Sequence, residues 1–322
     1  MVKIDLKDRK ILYELDLNSR QSFSKIGKKI GLPKTVVAYR IKRLQENGII
    51  KNFYPVIDAY KLGYISVRIY LTFQYTTPKI ENEILDYFIK NKLTYWIGSI
   101  EGKYDLVAIM WIKELYEFHL FWKKTLTKFR DYFQIESFSI YIQLIHFPNS
   151  YLLDKTSETK RKSIEVIGSI KKVQIDKNDF MILNELSRNA RIASKEIAKK
   201  TNLSIATVNN RIKNLIKKGV IQGFRTNIDI SKIDIMQFKV DINFRDYGRI
   251  NSVIEYVKEN PHLIYITITA GHADLELSFR LSSVSQVKKI MNDIYGKFPN
   301  VIRNYNYFII TKIHKLNYMP EK

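Results

Sequence analysis

An internal repeat constrains this chain more than any other feature. The stretch IDLKDRKILYELDLNSRQSFSKIGKKIGLPKTVVAYRIKRLQENGII begins at Ile4, and IDKNDFMILNELSRNARIASKEIAKKTNLSIATVNNRIKNLIKKGVI begins at Ile175. The two align without a gap through Lys61 and Lys232, with roughly two positions in five identical, so one architecture must serve both halves. Any fold assigned to residues 1–147 is therefore expected again over residues 172–316.

Each half opens with three short helical patterns. Asp5 and Asp8, and their counterparts Asp176 and Asp179, have the spacing of a helix N-cap and its reciprocal acid. Ile11, Leu12 and Leu15 form one apolar stripe, matched by Ile182, Leu183 and Leu186. A polar break follows, then a short helix expected to be capped by Ser24 or Ser194. In the third helix Val37, Ile41 and Leu44 share one face, as do Val208, Ile212 and Leu215. Gly48 and Gly219 stand where a left-handed helix terminator belongs, and a β-like run follows each. The order predicts helix, helix, turn, helix and a short β-hairpin, a winged helix-turn-helix.

The remainder of each half predicts βαββαβ. Strands are expected at Ile65–Tyr75, Leu93–Ile100, Tyr104–Ile112 and Phe133–His146, with helices at Pro78–Lys90 and Glu114–Arg130. The second half repeats the order at Ile235–Phe244, Ile250–Glu259, Leu263–Ala270, Asp274–Leu281, Ser283–Lys297 and Val301–Ile313. That order describes a ferredoxin-like sandwich. The fold class is α+β, with winged helix-turn-helix domains over 1–62 and 172–233. Ferredoxin-like domains are expected over 63–147 and 234–316, and a polar, charged linker over 148–171, with some helix allowed in it.

Composition narrows the function. Lys and Arg number 54 against 32 Asp and Glu, a net charge of +22. The two repeated N-terminal stretches carry about +8 and +7 of it. Charge gathered on the repeated units predicts a polyanionic partner, double-stranded DNA before an anionic membrane. The absence of cysteine removes disulfides, Cys-ligated zinc and thiol nucleophiles. The N-terminal MVKIDLKDRK is not a signal peptide, and no apolar run reaches membrane-spanning length. A cytoplasmic protein with no membrane partner is expected.

The third helix is the expected reader of DNA. With Val37, Ile41 and Leu44 inward, Thr35, Ala38, Tyr39, Lys42 and Arg43 face outward at 100° per residue. In the second copy Ala206, Asn209, Asn210, Lys213 and Asn214 do so, with Thr207 beside them. A helix-turn-helix places the N-terminal part of this helix in the major groove. Asn suits adenine there, and lysine suits phosphate or guanine. Arg40 and Arg211 lie near the edge of the buried face, where a phosphate contact or a salt bridge within the domain is expected rather than base reading. The two helices differ at Thr35/Ala206, Ala38/Asn209 and Tyr39/Asn210, so a perfect palindrome is not the expected target.

The run RIASKEIAKKTNLSIATVNNRIKNLIKKGVIQGF resembles the DNA-binding domain of the Lrp/AsnC (feast/famine) transcription regulators. The first copy, SFSKIGKKIGLPKTVVAYRIKRLQENGIIKNFYPVIDAYKLGY, resembles it too, with Pro33 in place of the cap seen as Ser204. Proline is acceptable at a helix start. The resemblance implies a following βαββαβ domain that dimerises through its sheet. It also implies a Gly-x-x-Asp turn near which an amino acid or other small metabolite binds. Gly102, Tyr104 and Asp105, and Gly271, His272 and Asp274, match that turn and are the expected effector-binding residues. As turns alone, the glycine would supply an unusual backbone angle and the aspartate would cap a neighbouring amide.

Two sheet domains on one chain predict an intramolecular pseudo-dimer, with further chains associating through the remaining sheet edges into a higher homo-oligomer. No metal site, cofactor or catalytic set is expected. His119, among Phe118, Leu120 and Trp122, reads as a packed core residue, and His146 and His314 as matching strand ends. Trp96, Trp111 and Trp122 read as core or interface packing, with a pocket allowed. The sequence thus predicts a sequence-specific transcription regulator and not an enzyme. The alternatives are an enzyme on the same scaffold, resembling siroheme decarboxylases with a tetrapyrrole substrate, and an architectural DNA-binding protein.

Overall fold

The computed structural model describes residues 4–153, 165–168 and 171–321. The expected linker lies partly outside these residues. Its described portions are not a free tether: Ser150, Tyr151 and Leu152 are buried, and Glu165–Ile167 forms a strand.

In the first half, α1 (Leu6–Leu17), α2 (Phe23–Ile30) and α3 (Lys34–Glu46) lead into β1 (Ile50–Ile57). Then come β2 (Ile65–Phe73), α4 (Pro78–Lys90), β3 (Thr94–Glu101), β4 (Leu106–Ile112), α5 (Leu115–Phe129) and β5 (Phe133–His146). Strand β6 (Glu165–Ile167) leads to the second half: α6 (Lys177–Arg188), α7 (Ser194–Thr201), α8 (Ile205–Lys217) and β7 (Ile221–Ile228). It continues with β8 (Met236–Phe244), α9 (Ile250–Val257), β9 (Leu263–Gly271), β10 (Leu275–Leu281), α10 (Val284–Lys297) and β11 (Ile302–Leu316).

Helix starts follow local chemistry. The Asp5 carboxylate accepts from the Asp8 amide at 2.7 Å while the Asp5 amide donates to Asp8 at 3.2 Å, closing the capping box. Asp176 accepts from the Asp179 amide in the same way. The expected caps at Ser24 and Ser194 are displaced. Ser22 caps α2 by accepting from the Lys25 amide, and Ala193 holds the equivalent position on α7.

The expected wing hairpin is not local to either unit. β1 pairs antiparallel with β7, Tyr54 opposite Arg225, so the two units share one two-stranded ribbon. Contacts around it come in reciprocal pairs. The Ser19 amide donates to the Phe224 carbonyl, and the Ala190 amide to that of Phe53. Arg20 donates to the carbonyls of Ala190 and Ile192, and Arg191 to those of Ser19 and Gln21. A single apolar core then runs through both units, from Ile11, Leu12 and Leu15 to Ile182, Leu183 and Leu186.

The sheet domains are equally joined. Within the halves the strand orders are β5-β2-β4-β3 and β9-β10-β8-β11. β3 pairs with β11 and β5 pairs with β9, so the two sheets close into one eight-stranded antiparallel barrel, with β6 added beside β5. Val67, Ile69 and Leu71 point outward onto α4 and α5, forming a core with Ile84, Phe88 and Phe121. The second half repeats this with Phe238, Val240 and Ile242. The intervening strand positions face the barrel interior. Closure consumes both edges of each four-stranded sheet, so a sheet-edge route to further chains would have to use β6 or the β1–β7 ribbon.

Candidate nucleic-acid interface and barrel cavity

The reading helices α3 and α8 present the surfaces that their periodicity requires. Val37, Ile41 and Leu44 are buried, and Thr35, Tyr39 and Lys42 are exposed, with Ala38 half-buried; Tyr39 is 64% exposed. On α8 Ala206, Asn209, Asn210, Lys213 and Asn214 are exposed, with Thr207 half-buried. Several of these side chains already have protein partners. Thr207 lies 2.9 Å from the Ser204 hydroxyl, and Asn209 accepts from Ser194 at 2.7 Å. Asn210 is held by no such contact among the described residues, and Lys42 only by a 3.7 Å pair with Glu46.

The arginines take the inward alternative. Arg40 bridges Asp5 and Asp8 at 2.7 and 2.9 Å, and Arg211 bridges Asp176 and Asp179 at 2.7 and 2.8 Å. Arg43, expected to face DNA, also pairs with the buried Asp8. Hydrogen bonds to these aspartates raise both Arg40 and Arg211 above the ordinary arginine pKa. Their first role is to lock each reading helix onto the first helix of its unit.

The Gly-x-x-Asp turns sit on the two barrel seams. Gly102 has φ +137°, and a Cβ there would lie 3.0 Å from that of Phe308 on β11. Gly271 has φ +118°, and its Cβ would lie 2.6 Å from the Phe138 carbonyl oxygen on β5. The Asp105 carboxylate accepts from the Phe73 amide at 2.7 Å and Asp274 from the Phe244 amide at 2.8 Å. Tyr104 and His272 turn into the barrel. His272 Nε2 lies 2.8 Å from Asp241 and its Nδ1 2.9 Å from Ser137, with the Tyr104 hydroxyl at 3.5 Å.

Above this plug is a buried ionic cluster and then a cavity. Arg68 and Lys239 both pair with Glu276, and all three are buried. Burial opposes ionisation of Glu276, yet Arg68 and Lys239 outweigh it and hold the carboxyl down to about 2. Burial, then Arg68, lowers Lys239 to about 8. The cavity, about 250 Å³, lies between this cluster and the β1–β7 ribbon. Trp96 and Trp111 line it, with the Trp111 ring stacked on Tyr95 at 3.8 Å. Trp122 instead packs against Phe133 and Phe138 outside the barrel. His146 also lines the cavity, its pKa driven well below 6.5 by burial and by Arg225 and Arg280. His119, expected in a core, is exposed.

The sequence allowed a pocket at the tryptophans, and Trp96 and Trp111 do line one, but its charged lining was not foreseen. On β2 the Ser66-x-Arg68-x-Tyr70 set alternates with Val67, Ile69 and Leu71, a pattern that reads as a solvated sheet face. The signal available was an arginine and a lysine at equivalent positions in the two copies, Arg68 and Lys239.

Comparison with known proteins agrees with this geometry. A family model described as winged helix-turn-helix DNA-binding matches residues 4–51 and 175–222. The HTH-type transcriptional regulator Ptr1 of Methanocaldococcus jannaschii is 35% identical over 117 residues, 35% of this chain and 74% of that protein. An uncharacterised regulator of the same type from Pyrococcus abyssi is 32% identical over 106 residues, 32% of this chain and 70% of that protein. The leucine-responsive regulatory protein of Haemophilus influenzae is 26% identical, over 50% of this chain and 99% of that protein. The chain belongs to the Lrp/AsnC family of helix-turn-helix transcription regulators, with the family's unit present twice. The siroheme decarboxylase NirDL shares the fold over 96% of this chain and 92% of its own, with a TM-score of 0.62 and 13% identity. No helix among the described residues is long and apolar enough to cross a membrane.

Proposed function

We propose that this regulator binds double-stranded DNA as a single-chain pseudo-dimer, each reading helix contacting its own, different half-site. The ribbon shared by β1 and β7 carries the argument, because it ties the two unlike helices into one body. Lys42 and Lys213 supply phosphate contacts, Tyr39 and Asn210 supply base-edge contacts, and Thr35, Ala38, Thr207 and Asn209 shape the groove-facing surface. Arg40, Arg43 and Arg211 hold the helices from behind. Gly102 and Gly271 permit seam closure, Asp105 and Asp274 cap it, and Tyr104 with His272 fills the barrel below.

Selection from random duplexes followed by footprinting tests this. Two protected patches of different sequence are expected, on one face of the duplex and one or more helical turns apart. Asn210→Ala should relax preference in one patch only, by about 1–3 kcal/mol if the contact to adenine is bidentate. Affinity should fall with salt by a log–log slope near −0.9 per phosphate contacted, and Lys42→Ala or Lys213→Ala should flatten that slope by about one unit. A single short footprint indifferent to changes in α3 would leave only one reading unit.

A second reading, an enzyme acting on a tetrapyrrole, is favoured by one observation. A cation-lined cavity occupies a fold shared with NirDL over nearly the whole chain. Against it, the excess positive charge concentrates on the helix-turn-helix units rather than on the barrel. Decarboxylation of siroheme by the purified protein would establish it.

A further inference from the structure

The barrel cavity has the chemistry of a ligand site. Three cationic side chains line it, Arg68, Lys239 and Arg280, and no aspartate or glutamate is among its described lining residues. Arg68 and Lys239 share one carboxylate, Glu276, beneath the cavity. The other cluster carboxylate, Asp241, is engaged by His272.

Arg280 has no carboxylate within 4 Å among the described residues. Its Nη1 donates to two neutral oxygens, Asn149 Oδ1 at 2.8 Å and the Tyr151 hydroxyl at 2.9 Å. Its Nε is buried without a partner, and so is Thr226 Oγ1 on the ribbon above. An unpaired buried guanidinium nitrogen costs stability unless something accepts from it. Around these groups the walls are aromatic: Trp96, Trp111, Tyr141 and Tyr265 among them. Flat apolar walls with one unanswered guanidinium suit a flat apolar body bearing one carboxylate.

We propose that the barrel cavity binds a small aromatic carboxylate of one or two rings, its carboxylate accepting from Arg280 and its rings lying among the tryptophans. The β1–β7 ribbon roofs the cavity through Tyr54, Val56 and Thr226. The same ribbon begins four residues after α3 and after α8. Occupancy beneath it therefore bears on both reading helices at once, a coupling that rests on the regulator reading, whereas the binding itself does not. This site is separate from the seam turns at Gly102 and Gly271.

Calorimetry on the full chain without DNA tests the binding, with phenylacetate, indole-3-acetate and 1-naphthoate as probes and indole-3-acetamide as the uncharged counterpart. At least one acid should bind, and indole-3-acetate should bind at least tenfold more tightly than the amide. Arg280→Gln should remove that preference, and Ser278→Phe, which fills the cavity, should abolish binding of both. Failure of all three acids to bind the folded wild type overturns the proposal. So does equal affinity for acid and amide, a comparison that needs no variant to fold. Binding of iron uroporphyrin with exclusion of the three acids also overturns it, in favour of the larger polyanion. Gel-shift titration with the bound acid tests the coupling: a change of at least threefold in DNA affinity, absent in Ser278→Phe, is expected, and no change overturns the coupling alone.

Discussion

Glu276 decides the electrostatics of the barrel interior. It is fully buried and answers two buried cations, Arg68 and Lys239. Removing one member of such a set leaves uncompensated buried charge, at about 3–5 kcal/mol. Glu276→Gln should therefore lower the urea midpoint at pH 7 by a corresponding amount. The same carboxyl sets an acid limit. Its folded pKa, about 2, lies below the ordinary 4.5, so between these values the unfolded chain binds more protons. The stabilisation it gives is full above pH 4.5 and is lost as pH falls toward 2. Urea titrations across that window should show wild-type stability falling more steeply than that of Glu276→Gln; parallel curves would remove Glu276 from the account.

Individual elements were legible in the sequence where the information is local. β5 was expected at Phe133–His146 and is found there; α4 matches its expected bounds at Pro78–Lys90. What the sequence could not show was partnership. β1 has the composition of a wing strand, but its partner β7 lies some 170 residues further on, and period-2 alternation does not name a partner. His119 was misplaced because Phe118 and Trp122 define the inward face of α5, and one residue further round the helix is already outside it. The cavity's charged lining was hidden because Arg68, Lys239 and Arg280 come from three different strands, β2, β8 and β10. The seam turns give an element-scale test. Gly271→Ala would put a Cβ against the Phe138 carbonyl at a left-handed φ, so it should destabilise by more than about 1 kcal/mol. Amide exchange should rise first along β5 and β9, where that seam is paired.

For the whole molecule, the shared ribbon, shared helical core and closed barrel predict one cooperative unit. All three tryptophans, Trp96, Trp111 and Trp122, belong to the first half. Tryptophan fluorescence therefore reports on that half, whereas far-ultraviolet circular dichroism reports on the entire chain. The two thermal transitions should coincide; an earlier fluorescence transition would mean that the halves melt separately.

The ribbon of β1 and β7 also bears on how such a protein can change over generations. In a symmetric dimer one altered codon appears on both sides, and the target must change twice to follow. On the proposed reading, a single substitution at Asn210 leaves Tyr39 untouched, so the operator could drift one half at a time while the other half keeps the complex bound.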